Sequence, residues 1–149
     1  MKPLISCGLA LGMLISGIPA VAAPLITEDM LSADSLPAPL DAALGDPERG
    51  RLVFVDRDQG HCVLCHQIDG LDAPFQGDVG PPLNGLGATY DEGEIRLRVA
   101  QVRRVYPDSI MPEYYRVEGL HQVGEAWQGK PALSAQQIED IVAFLTGLD

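Results

Sequence analysis

The sequence predicts an all-α domain with long loops and an extended N-terminal arm. Three stretches combine helical apolar spacing with capping residues, and no stretch sustains the alternation of apolar and polar residues that is typical of a strand. The segments between these helices are long, and such loops usually have a functional reason. At 149 residues the chain fits one domain preceded by a leader.

The first 22 residues have the features of a signal peptide. Lys2 supplies a positive charge, residues 4–18 are mostly apolar, and Ala20-Val21-Ala22 is a small-residue cleavage site. The apolar run is shorter than the roughly 20 residues that cross a bilayer. We therefore expect a periplasmic protein with no membrane anchor after cleavage, a retained anchor being the alternative.

The chain is strongly acidic. It has 21 acidic and 10 basic residues, a formal charge of −11 at pH 7, and cleavage of the leader would also remove Lys2. Such a charge argues against binding to nucleic acid or to anionic lipid, and it favours a partner with basic patches.

Residues 23–45 are interpreted as an acidic, proline-containing arm. This segment contains three prolines and four acidic residues but no basic residue. Its composition indicates an arm or linker rather than core. Two alternatives stay open: plain disorder, or an arm that packs on a partner subunit.

Residues 46–149 form the predicted globular domain, which contains three helices. Asp46-Pro47-Glu48 is a favourable start for the first, with a capping acid and a proline in the first turn. A capping box at residues 89–92 predicts the start of the second, which Pro107 would end. Another capping box at residues 134–137 precedes the apolar stripe of the last helix, Ile138, Ile141, Val142, Leu145 and Leu148.

Residues 62–66 read Cys-Val-Leu-Cys-His, which is a C-x-x-C-H motif. Two thiols one helical turn apart can bond to a haem, and the imidazole that follows can bind its iron from one face. We therefore predict one covalent haem c attached through Cys62 and Cys65, with His66 as the proximal iron ligand. A thioredoxin-like site would need a βαβ pattern, and a zinc site would need a fourth ligand at suitable spacing.

The proximal histidine needs an acceptor for its other ring N–H. Gly80-Pro81-Pro82-Leu83 offers one, because a proline carbonyl is a rigid acceptor, and we choose Pro81. The alternative is an ordinary turn.

The sixth iron ligand is predicted to be Met111. Pro112 favours an extended conformation at Met111, so the loop could hold a thioether at the iron. His121 is a rival, and Met111 could instead be a packing residue. A His/Met pair fills both axial positions and favours electron transfer over binding of a substrate at iron.

Five of the basic residues are concentrated between positions 96 and 116. We interpret most of them as the solvated face of the second helix, with one or two available to haem propionates or to a partner. The five are Arg96, Arg98, Arg103, Arg104 and Arg116.

Together, the C-x-x-C-H motif, the Gly-Pro turn, the Met-Pro loop and the C-terminal helix resemble a class I cytochrome c. Three finer segments, at residues 75–81, 110–116 and 129–140, resemble the SoxX subunits of SoxAX cytochrome complexes. The similarity covers about residues 45–148.

The resemblance implies an electron-transfer subunit of a heterodimeric L-cysteine S-thiosulfotransferase. SoxA would be the partner and would hold the sulfur-handling cysteine. The complex would join thiosulfate oxidatively to a cysteine of the SoxYZ carrier and pass electrons to a soluble c-type cytochrome. Cys62, Cys65, His66 and Met111 carry over as haem-binding residues, and no catalytic residue is expected in this chain. A free-standing periplasmic monohaem shuttle is the alternative, while a haem sensor would need an open sixth position.

Overall fold

The computed structural model describes residues 24–149, so the expected signal peptide at residues 1–22 lies outside the described residues. The α-helices in this range are α1 Pro47–Val55, α2 Leu86–Thr89, α3 Glu92–Gln101 and α4 Ala135–Thr146. Short 3-10 turns lie at Glu28–Met30, Cys62–Leu64, Val102–Arg104 and Glu125–Trp127.

The all-α prediction with long loops is confirmed. Between residues 24 and 149 the backbone forms no strand, only an isolated bridge between Ser32 and Ser35. Of the helices in this range, none is both long enough and apolar enough to span a bilayer.

Helices α1 and α4 begin where the sequence predicts. The Asp46 side chain accepts a hydrogen bond from the Arg49 amide at 2.9 Å, which caps α1. At α4, Ser134 Oγ accepts from the Gln137 amide and Gln137 Oε1 accepts from the Ser134 amide. This reciprocal pairing is a capping box.

Helix α3 begins two residues later than the predicted capping box. Its cap is Asp91, which pairs reciprocally with Glu94. Thr89 is engaged elsewhere, because its hydroxyl donates to the Gly85 carbonyl at 3.0 Å within the one-turn helix α2. The α-helix also ends at Gln101, six residues before Pro107, and passes into a 3-10 turn.

Helices α1 and α4 pack closely against each other. The Phe54 and Phe144 rings meet edge to face, with centroids 5.5 Å apart and planes inclined by 62°. Gly50 permits the close crossing, since an added Cβ would lie 2.5 Å from the Asp140 carbonyl carbon. This contact fixes the position of α1 relative to α4 on one side of the core.

Glu139 of α4 forms a buried ion pair with Arg96 of α3. The Arg96 side chain is 2% exposed, and its Nε and Nη2 donate to the Glu139 carboxylate at 2.8 and 2.9 Å. Glu139 Oε1 also accepts from the Leu40 amide at 2.8 Å. The interpretation of Arg96 as part of a solvated face is therefore wrong.

The neighbouring carboxylate, Asp140, tethers the start of α1. It accepts hydrogen bonds from the Asp46 amide at 2.9 Å and from Arg49 Nε and Nη2 at 2.9 and 2.7 Å. Adjacent residues of α4 thus hold different parts of the N-terminal half of the chain.

The described part of the predicted arm is built into the core. Ile26, Leu36 and Leu40 are buried and belong to the main apolar cluster. The Leu36 amide donates to the Gly93 carbonyl at 3.0 Å, and Arg96 Nη1 donates to the Leu36 carbonyl at 2.9 Å. The expectation that this segment lies outside the core is wrong, because it satisfies polar groups of α3 and α4 that would otherwise be buried without partners.

Glu139→Ala is expected to lower the free energy of unfolding by about 3–5 kcal/mol, because it leaves the Arg96 charge buried and unpaired. Urea denaturation of the haem-loaded protein measures this. Glu92→Ala is the matched control, since the Glu92 carboxylate lies 3.9 Å from Arg96 Nη2 but is 68% exposed, and its loss should cost no more than about 1 kcal/mol. Equal effects of the two substitutions would contradict the prediction.

The lowered pKa of the Asp140 carboxylate predicts that the folded protein loses stability in acid. Burial alone would raise the pKa of Asp140, but hydrogen bonds from Arg49, the Asp46 amide and Gln136 outweigh burial and lower it. A lowered pKa stabilises the fold above the unfolded-state pKa of about 3.9, and this contribution is lost as the pH falls through the folded-state pKa. Asp140→Asn should therefore be less stable than the parent at pH 7, with the difference shrinking below about pH 4. A difference in unfolding free energy that stays constant over this range would refute the assignment.

Candidate haem-binding site

A cavity of about 520 Å³ lies among the four α-helices, the C-x-x-C-H segment and two further loops. Cys62, Cys65 and His66 line it, and so do Pro81 and Met111. The remaining walls are largely apolar and include Phe54, Leu83, Leu86, Ile95, Val99, Val102 and Leu145. The five residues predicted to bind haem therefore come from three separate segments to one apolar cavity.

The C-x-x-C-H motif forms a tight turn at the cavity. His61 takes a left-handed conformation with φ 47°, and the Cys65 and His66 amides donate to the Cys62 carbonyl at 3.1 and 3.0 Å. Both cysteines are free thiols. Burial raises the pKa of the Cys62 thiol to about 12, so it is neutral at pH 7 and unsuited to a role as a nucleophilic thiolate.

The His66 ring is held by the segment that the sequence indicated. His66 Nδ1 lies 2.8 Å from the Pro81 carbonyl oxygen, which orients the ring with Nδ1–H donating. Gly80 leaves room for the imidazole, because an added Cβ would lie 2.7 Å from Nδ1. The Gly80 amide also donates to the Cys65 carbonyl at 2.8 Å, which ties this turn to the motif.

The Met111 loop lines the cavity, whereas its rival does not. Met111 is half-buried, and its amide donates to Ser109 Oγ at 3.2 Å. His121 is exposed in the loop that follows and does not line the cavity. Tyr114 anchors the segment after Met111, since its hydroxyl donates to the Gly60 carbonyl at 2.7 Å. Gly60 lies two residues before the first cysteine of the motif.

Arg98 contributes a charged group that sequence reasoning did not single out from its neighbours. Its guanidinium carbon lies 4.2 Å from the Tyr90 ring centroid and 5.7 Å from that of Tyr106, and all three residues line the cavity. Nη1 donates to the Glu94 carbonyl at 3.0 Å, but Nε is buried without a hydrogen-bond partner among the described residues. A buried donor of this kind calls for an acceptor. No sequence signal distinguished Tyr90 and Tyr106 as lining residues.

These residues fit a covalently bound haem. The cavity offers apolar walls for a porphyrin, two thiols in one turn, an oriented imidazole and a thioether from a different loop. The unpartnered Nε of Arg98 suits an anionic group such as a propionate.

Two comparisons with known proteins bear on this site. The sequence profile of the cytochrome c family matches residues 47–149. Among solved structures, the chain is similar to one described as "Crystal structure of SoxXA from P. pantotrophus", with 36% sequence identity and a TM-score of 0.73. The alignment covers 85% of this chain and 93% of that chain. No curated protein sequence matches the chain.

Met111→Ala should open the iron to exogenous ligands and lower the reduction potential while leaving the haem attached, because only the thioether is lost. Imidazole titration followed by optical absorption measures the first effect, and a redox titration measures the second. Met30→Ala is the control, since Met30 packs against the core and does not line the cavity. If the two variants bind imidazole alike, Met111 is not the ligand.

Proposed function

The chain belongs to the cytochrome c family as a SoxX-type subunit, and on that premise we propose that it transfers electrons within a SoxAX complex through one covalent haem c. The observation that carries this proposal is the cavity in which the C-x-x-C-H motif and Met111 meet. When bound, a haem iron with two protein ligands alternates between ferric and ferrous states and carries one electron at a time.

Each of the five predicted haem-binding residues would have a separate part in this function. Cys62 and Cys65 would hold the haem, and His66, oriented by the Pro81 carbonyl, would bind the iron from one side. Met111 would bind it from the other side. With His66 and Met111 both serving as ligands, the haem would supply electron transfer without binding a substrate at iron.

The partner would be SoxA, and the reaction would be the joining of thiosulfate to a cysteine thiol of the SoxYZ carrier. A sulfur–sulfur bond forms, the thiol loses its proton, and two electrons leave for each thiosulfate joined. This chain would carry those electrons singly towards a soluble c-type cytochrome. The two cysteines that the structure describes both line the haem cavity, which agrees with sulfur handling by the SoxA cysteine. The expected signal peptide would direct this chain, and with it the complex, to the periplasm.

A docked partner is supported by apolar side chains beside the cavity. Val79 and Ile110 line the cavity and yet are 65% and 80% exposed. If these side chains form one apolar patch with the haem edge, they would suit contact with a protein partner. A free-standing shuttle could also expose apolar groups beside its haem, so the preference for a subunit rests on the similarity to the SoxXA chain.

The tagged, haem-loaded chain should co-purify with SoxA as a heterodimer when the two are produced together. Ile110→Ser should weaken the complex, because it removes an exposed apolar contact beside the cavity. Trp127→Ser is the matched control, since Trp127 is 54% exposed but does not line the cavity. Size-exclusion chromatography with detection of haem absorption measures both.

A monomer that ignores SoxA at micromolar concentration would contradict the subunit assignment and favour the shuttle. Equal weakening by the two variants would show that the cavity mouth is not the contact.

A further inference from the structure

We propose that Arg103 is a positioning residue for Met111. It holds the loop that carries Met111 by joining Ser109, before the methionine, to Glu113, after it. The proposal rests on the function proposed above, in which Met111 binds the haem iron. Arg103 lies in the 3-10 turn Val102–Arg104 that follows α3, and it does not itself line the haem cavity.

The bridge spans Met111 symmetrically along the sequence. Arg103 Nε donates to the Ser109 carbonyl at 3.1 Å, two residues before Met111, and Nη1 donates to Glu113 Oε2 at 3.3 Å, two residues after it. Ser109 Oγ in turn accepts from the Met111 amide at 3.2 Å. One planar guanidinium therefore fixes the separation of the residues that flank the thioether.

The C-terminal end of the bridge is firmly held. The Glu113 side chain is 1% exposed, and its Oε2 also accepts from Arg116 Nη1 at 2.7 Å. The next two residues are anchored as well, because Tyr114 OH donates to the Gly60 carbonyl and the Tyr115 amide donates to the Ala100 carbonyl at 3.0 Å. Through its hydrogen bond to the Ser109 carbonyl, Arg103 connects Ser109 to this fixed end of the loop.

The N-terminal end of the loop depends more on Arg103. Residues 105–112 contain no helix, and the local backbone bond at Ser109 is its amide donating to the Tyr106 carbonyl at 3.0 Å. A thioether is a weak, neutral ligand, so its occupancy at iron depends on how little conformational freedom the loop must lose to bind. Restricting the loop in advance raises the effective concentration of the Met111 sulfur at the iron.

Two neighbouring arginines provide matched controls. Arg104 lies beside Arg103 but contacts Gln101 Oε1 and Glu28 instead of the loop. Arg116 shares Glu113 Oε2 with Arg103, but its other bond goes to the Glu118 carbonyl, on the same side of Met111. Arg116 therefore pairs the same carboxylate without bridging the methionine.

The test is imidazole affinity of the oxidised, haem-loaded protein, together with the weak red absorption band of methionine-ligated ferric haem. Arg103→Ala should bind imidazole about tenfold more tightly, the equivalent of roughly one charge-assisted hydrogen bond lost from the loop, and should show a weaker methionine band. Arg104→Ala should match the parent. Arg116→Ala should fall short of Arg103→Ala, because one end of the loop stays joined to the other.

Arg103→Lys separates charge from bridging. An ammonium keeps the charge but lacks the rigid fork that spans two acceptors, so this variant should also bind imidazole more tightly than the parent. Parent-like affinity in Arg103→Ala, full recovery in Arg103→Lys, or an equal effect of Arg116→Ala would overturn the proposed role of Arg103. A parent protein without the methionine band would instead overturn the assignment of Met111 as a ligand, which distinguishes the two failures.

Discussion

Two adjacent carboxylates in the last helix organise the rest of the structure. Glu139 holds Arg96 of α3 and the Leu40 amide, while Asp140 holds Arg49 and the start of α1. The Arg96–Glu139 pair is buried, so loss of either partner would leave a charge that the interior cannot solvate. The helices tethered in this way are the ones whose apolar side chains form the walls of the cavity. The ion pairs therefore position the site although none of them lies in it.

The cavity imposes a second constraint, because its polar groups must come from distant parts of the sequence. The C-x-x-C-H turn, the Gly80–Pro81 turn and the Met111 loop are not consecutive, and each is tied to another by hydrogen bonds. The Gly80 amide reaches Cys65, and Tyr114 reaches Gly60. These hydrogen bonds between segments suit a site for electron transfer. Ligands that keep the same geometry in both oxidation states lower the reorganisation energy of the reaction. The same hydrogen bonds hold the long loops in place in a domain that has four short helices.

How much the sequence could predict depended on the range of the interactions. The C-x-x-C-H motif and the caps at Asp46 and Ser134 are local patterns, and the structure has the same caps. The sequence pattern predicts the start of α3 two residues too early because Thr89 and Asp91 are both good caps. Only the presence of α2 shows that Thr89 is already engaged.

The buried position of Arg96 and the core contacts of the arm both depend on long-range contacts. Arg96 and Glu139 are 43 residues apart, so helical periodicity could not show that Arg96 is buried. The arm at 23–45 has an acidic composition that resembles a linker, but Ile26, Leu36 and Leu40 pack into the core. The bridge from Arg103 to Ser109 and Glu113 likewise has no signature in a single sequence. The haem-binding roles of Cys62, Cys65, His66, Pro81 and Met111 stay predictions, now with one cavity that brings them together.

The proposed function depends above all on a covalent haem bound by His66 on one face and by Met111 on the other. A proton NMR spectrum of the reduced protein, selectively labelled at the methionine methyl groups, tests it most directly. After removal of the expected leader only Met30 and Met111 remain, so two signals are expected. With Met111 bound to the iron, we expect one methyl signal in the ordinary range and one shifted far upfield by the porphyrin ring current. Two ordinary signals, or a colourless protein after maturation with haem, would contradict it.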